Sequence, residues 1–198
     1  EPITNFMNSG KEFFSFAIGV QAIIWGLVTF FLGILIDKFG PQKVLAFGII
    51  SFASGIFLMS NPTSEFTLFS ATTLMGFGLG GAGMATMVSI AGKVAPVKKR
   101  SLAMGLVAAA ASFGQFAVVL PTMWMNKAFG WETSLIVLAS VVIGLLIFLP
   151  LLNSTNNKSN SAQDFGNSLQ QTIMFSLREK NYILLISGFF VCGFHVTF

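Results

Sequence analysis

The sequence predicts an all-α integral membrane protein, a helix bundle of which about six spans are present. Three observations predict it. Only 9% of the residues are charged and 54% are hydrophobic, whereas a soluble domain carries about 25% charge. All seven acids (Glu1, Glu12, Asp37, Glu65, Glu132, Asp164 and Glu179) and all eleven bases fall outside the long apolar runs. Those runs approach the roughly 20 residues that a helix needs to cross about 30 Å of hydrocarbon. The solvent for most of this chain is lipid.

The runs are 13–36, 44–60, 66–92, 102–125, 133–152 and 182–198. Local punctuation supports each cut. Gly40-Pro41 ends the first run, Asn61-Pro62-Thr63-Ser64 supplies a stop and a helix N-cap, and Pro96 breaks the chain before Ser101. Pro121 lies inside the fourth run, where a bundle in a membrane tolerates a kink. The first run is too long for a signal peptide and no small-residue cleavage site follows it.

Loop charges set the orientation. Lys38, Lys43, Lys93, Lys98, Lys99, Arg100, Lys158, Arg178 and Lys180 fall on one face, and only Lys11 and Lys127 on the other. Lys and Arg collect on the cytoplasmic side. Residues 37–43, 93–100 and 153–181 are therefore expected in the cytoplasm, in a multi-pass protein of the plasma (inner) membrane. The chain would then begin outside, at Glu1-Pro2 and without a Met, so a preceding span and a continuation beyond Phe198 are expected.

The chain is expected to hold three segments: 1–152 as part of an N-terminal bundle with five spans, 153–181 as a cytoplasmic linker, and 182–198 as the first span of a second bundle. In the linker, Leu169, Ile173 and Leu177 recur at four-residue steps, the spacing of a short amphipathic helix lying on the membrane surface. The Asn-x-Ser/Thr matches at Asn153 and Asn157 face the cytoplasm in this reading and stay unglycosylated.

Several functions are disfavoured. The sequence pI is near 9.5, but the bases are scattered over loops rather than gathered as a nucleic-acid footprint. Cys192 is the single cysteine, which leaves no disulfide framework and no cysteine metal cluster. No metal site, cofactor site or catalytic constellation emerges, so the chain is not read as an enzyme. The glycines from Gly76 to Gly83 match a GxGxxG pattern in part. A phosphate loop needs a strand before it, so close helix packing through Gly76 and Gly80, one turn apart, is the expected role. Ala108, Ala109, Ala111 and Ser112 could serve similarly in the next helix.

The segment Gly33-x-x-x-Asp37-Lys38-x-Gly40-x-x-Lys43 resembles the signature loop between helices 2 and 3 of the major facilitator superfamily, Gly-x-x-x-Asp-(Arg/Lys)-x-Gly-x-(Arg/Lys)-(Arg/Lys). Every fixed position matches except Gln42, where a base is usual. The resemblance implies that the runs are family helices 2 to 7. It also implies a conformational latch built from Gly33, Asp37, Lys38, Gly40 and Lys43. Asp37 at a helix end can pair with a base and a helix N-terminus from the other half of the protein, and release when the halves rock. The alternative is a charged hairpin that only orients the helices.

Gly130-Trp131-Glu132 and the stretch from Gly188 to Phe198 are similar to the oxalate/formate antiporter and monocarboxylate transporter branch, although Glu132 stands where Arg is common. The fourth family helix lacks the Arg of many proton-coupled members. The fifth lacks the Gly-Pro-x-x-Gly-Gly element of drug antiporters. The resemblance thus implies a monomeric carrier of a small organic anion, a monocarboxylate or dicarboxylate, working by alternating access with proton symport or anion exchange. Its partners would be that substrate, protons and the lipid bilayer. Two alternatives stay open: a carrier of neutral or cationic compounds, and a non-transporting sensor that keeps the fold. Polar residues at membrane depth usually face a cavity or another helix. Gln115, His195, Gln21 and Trp25 are the cavity-lining candidates, with His195 able to carry a proton near neutral pH.

Overall fold

A computed structural model of the chain describes residues 11–155, together with 184, 187 and 188. The linker helix, Cys192, His195 and all but three residues of the last run lie outside the described residues. The chain divides into two units, Glu1–Asn157 and Lys158–Phe198.

Five helices are found among the described residues of the first unit. They are α1 (Lys11–Phe39), α2 (Pro41–Met59), α3 (Glu65–Ala82), α4 (Met84–Val94) and α5 (Arg100–Gly144). A short 3-10 turn (Val97–Lys99) precedes α5, and a 3-10 stretch (Leu145–Thr155) follows it. No strand occurs among the described residues. Among the described residues, four stretches are long and apolar enough to cross a membrane: Glu12–Phe31, Pro41–Met59, Glu65–Val94 and Val97–Pro150. The last has 54 residues, about 80 Å at the helical rise and long enough for two passes.

The boundaries have local causes. Gly40 adopts φ 84°, a region open to glycine and costly for other residues. Its N–H closes α1 by donating to the Ile36 carbonyl at 2.9 Å, and Pro41 opens α2 where a missing N–H costs nothing. Ser64 caps α3, its Oγ accepting from the Thr67 N–H at 3.2 Å. Gly130 repeats the φ of 84° inside the long α5 and breaks it. Ser134 Oγ then donates to the Gly130 carbonyl at 2.8 Å as the helix resumes. The helix continues through Pro121, so the turn falls at the Gly-Trp-Glu segment, between the runs 102–125 and 133–152.

One boundary differs from expectation. The run 66–92 is two helices, α3 and α4, parted at Gly83, whose backbone is extended (φ −75°, ψ 179°). The Leu79 carbonyl packs so closely there that a Cβ on Gly83 would lie 2.1 Å from it. No charge or proline marks this break, because the whole run from 66 to 92 is free of both. The buried Thr86 spans it, its Oγ1 donating to the Gly80 carbonyl at 2.9 Å.

Packing is dominated by glycine. A Cβ on Gly76 would meet the Gln21 carbonyl and Ile24, and one on Gly80 would meet Val28. These positions seat α3 against α1 in parallel, 76 near 21 and 80 near 28. On another face, a Cβ on Gly78 would strike Phe52 and one on Gly81 would strike Gly48. Gly55 lies as close to Ala71 and Met75, so α2 runs antiparallel to α3. The third span is thus clasped on two sides by backbone-to-backbone approach, the means by which helices associate in lipid. The buried set mixes small residues, Ala17, Ala53, Ala71, Ala139, Ser51, Thr72 and Thr86, with branched aliphatics such as Leu45, Ile49, Ile56 and Leu68, and among the described residues it holds no aromatic ring. Phe16, Phe30, Phe47, Phe57, Phe113 and Phe116 point outward. A bundle whose large apolar residues face out is built for an apolar solvent.

Candidate functional site

Chain reversals alternate between the two ends of the bundle, and one end gathers most of the described charge. Ile36, Val44, Leu45 and Ile90 bury one another there, with Ala82 and Leu149 packed against them. They come from α1, α2, α3, α4 and the 3-10 stretch, so five segments converge on one apolar plug. Lys38 stands two residues after Ile36, Lys43 one before Val44 and Lys93 three after Ile90, and all three are exposed. The bases therefore rim the plug. Lys38 Nζ lies 5.5 Å from the centroid of the Phe39 ring, within cation–π range.

The turn at Gly40 is tied to this end by the residue that departs from the signature. Gln42 Nε2 donates to the Leu149 carbonyl at 2.8 Å, a part-buried bond across 107 residues of sequence. An amide makes this bond without bringing a charge into a part-buried site, which a base at the same position would do. Sequence reasoning missed this role. Gln42 registered there only as a mismatch, and its partner is a backbone atom that no motif encodes.

The other candidates divide. Lys38, Gly40 and Lys43 meet at this turn. Gly33 and Asp37 lie on α1; the Asp37 carboxylate is outside the described side chains. Gln21 and Trp25 lie where α1 meets the glycines of α3: their carbonyls would sit 2.9 and 3.5 Å from a Cβ on Gly76 and Gly80. The Trp25 carbonyl also accepts from Thr29 Oγ1 at 2.8 Å. Gln115 is exposed on α5, a helix that packs on α2 and α4 rather than α1. Thr73, which sequence reasoning passed over, has a buried Oγ1 with no hydrogen-bond partner among the described residues. It lies one turn before Gly76, on the face that meets α1 near Gln21.

Beside the turn, α4 is pinned to the start of α5. Arg100 Nε donates to the Gly92 carbonyl, and a Cβ on Gly92 would sit 3.3 Å from the Met104 sulfur. The part of the third span before Gly83 is thus held by α1 and α2, and the part after it by α5 and by the plug around Ile90. Among the described residues no group of three or more His, Cys, Asp or Glu side chains could hold a metal ion.

A turn of signature spacing now sits at the charged end of a glycine-packed bundle of long apolar helices. Residues 3–198 match the Major Facilitator Superfamily. The chain belongs to the Major Facilitator Superfamily. Among curated relatives, it is similar to an agnestins efflux protein of Paecilomyces divaricatus, 28% identical over 167 residues that cover 82% of this chain and 36% of that protein. It is also similar to an uncharacterized MFS-type transporter of Bacillus subtilis (strain 168), 26% identical over 208 residues, 98% of this chain and 48% of that protein. The chain thus spans between about a third and a half of the length of these relatives. No solved structure matches it. The oxalate/formate or monocarboxylate branch receives no support from these relatives.

Proposed function

We propose that this chain is part of a secondary active transporter working by alternating access, with the turn from Gly33 to Lys43 as a conformational latch on the cytoplasmic side. The observation that carries this reading is the conjunction at one end of the bundle. Gly40 sets the turn, Lys38 and Lys43 flank the plug of Ile36, Val44, Leu45 and Ile90, and Gln42 fastens the turn to Leu149. A rigid end of this kind suits a bundle that rocks as one body around a site near the bilayer midplane. The break at Gly83 gives that body one internal joint.

The cargo we propose is a small organic anion, moved by proton symport or anion exchange. Such a cargo needs a positive partner at membrane depth. None of the runs holds a base, so the partner is assigned to helices outside this chain. A second reading, export of a metabolite, is favoured by the relative named as an agnestins efflux protein.

Transport by the full-length protein in proteoliposomes tests both. Uptake of a labelled monocarboxylate that rises with an inward proton gradient, or with an opposing anion inside, supports the anion reading. Indifference to monocarboxylates in every arm removes it. Asp37→Asn should lower the transport rate at least tenfold while the protein still inserts, and wild-type rates in that variant would remove the latch.

A further inference from the structure

The loop between the third and fourth spans carries more charge than orientation requires, and it carries it in an unusual setting. Lys93, Lys98, Lys99 and Arg100 fall within eight residues, and no acid occurs between Glu65 and Glu132. All four bases are exposed. The backbone between them is ordered by its own chemistry. Ala95 and Pro96 are extended, and the Lys99 N–H donates to the Pro96 carbonyl at 2.8 Å. Lys93 therefore closes one membrane-crossing stretch and Lys98, Lys99 and Arg100 open the next, on either side of this fixed turn.

Apolar side chains share that turn. Val97 is 90% exposed and Val94 53% exposed, so two valines point outward among four bases. In bulk water that arrangement wastes the valines. At the boundary between headgroups and acyl chains it suits both partners, since the valines enter the apolar layer and the ammonium groups stay at phosphate level. Lys43 and Lys38, on the rim of the neighbouring plug, extend the positive field along the same end of the bundle.

We propose that residues 93–100 form a binding surface for anionic lipid headgroups of the leaflet they face. Clusters of four or more bases directly beside a membrane-crossing helix are the expected footprint of such lipids. The surface is independent of what is carried. It rests on the chain crossing a membrane and not on the latch. Arg100 already spends its Nε on the Gly92 carbonyl, so Lys98 and Lys99 are the residues whose removal reads binding rather than folding.

The test uses the full-length protein in detergent, titrated with short-chain phosphatidylglycerol or phosphatidylcholine, with bound lipid counted by native mass spectrometry. Phosphatidylglycerol should bind preferentially. Lys98→Gln with Lys99→Gln should weaken it by on the order of 30-fold, about fivefold for each base, while the double Arg variant keeps it. Equal binding of the two lipids, or unchanged phosphatidylglycerol binding in the double Gln variant, overturns the proposal. So does an equal response to inorganic phosphate, which would mark a free-anion site, or to an acidic peptide, which would mark a protein partner. Should the double Gln variant fail to fold, wild-type protein decides the matter. Its phosphatidylglycerol binding must fall steeply as salt rises from about 50 to 500 mM, because exposed charges are screened over that range.

Discussion

Glycines in α2 and α3 and glycines in α5 occupy opposite surroundings. A Cβ on Gly48, Gly55, Gly76, Gly78, Gly80 or Gly81 would come within 3 Å of another heavy atom, whereas one on Gly105, Gly114, Gly130 or Gly144 would meet nothing within 4 Å. The first group brings backbones together. The second does not, and of its members only Gly130 has a conformational reason to be glycine, its φ of 84°. The same residue therefore serves close approach in one region and a turn, or nothing visible, in the other. The third span can be held from two sides because its glycines divide between faces, Gly76 and Gly80 toward α1 and Gly78 and Gly81 toward α2.

That contrast can be broken by adding one methyl group at a time and following the thermal midpoint of the full-length protein in detergent. The largest loss is expected for Gly48→Ala. Its Cβ would sit 2.5 Å from the Ala82 nitrogen and 2.6 Å from the Gly81 carbonyl carbon, backbone atoms that yield little. Overpacking of this kind costs about 3 kcal/mol, and an unchanged midpoint would mean that α2 and α3 are not clasped. Gly130→Ala should come next, at about 1–2 kcal/mol for a side chain forced into the left-handed region. Space is available there, so the loss measures φ alone; stability equal to wild type would show that the turn has another solution. The smallest effect, of opposite sign, is expected for Gly114→Ala. With open space around it and a helical backbone, alanine should stabilise by about 0.5–1 kcal/mol. A loss at Gly114 would point to a partner helix packed there in the whole protein.

These surroundings explain what the sequence disclosed and what it withheld. Turns carried by Gly40-Pro41, by Ser64 and by Pro96 were legible because a single residue type changes the local backbone, and each appears in the structure where the residues place it. The break at Gly83 was not legible. Its cause is the approach of the Leu79 carbonyl and the hydroxyl of Thr86, set inside an unbroken apolar run. The signature turn was legible as a spacing. Its fastening through Gln42 was not, since Leu149 contributes a carbonyl that any residue would supply. Gln115 stood out because a polar residue in an apolar run is conspicuous, yet polarity alone says nothing about which helix it faces. The cargo stayed hidden because no described residue offers it a charge at membrane depth.

The bond from Gln42 to Leu149 also sets an order of events during synthesis. A ribosome adding about 5–20 residues per second completes Leu149 roughly 5 to 20 seconds after Gln42. Throughout that interval the first three spans can find one another through their glycines, while the amide at the mouth of α2 still faces water or headgroups. The two ends of this bundle therefore mature at different times. The end near Ser64 gains its last reversal at Gly130, and the end carrying the signature turn waits for Leu149.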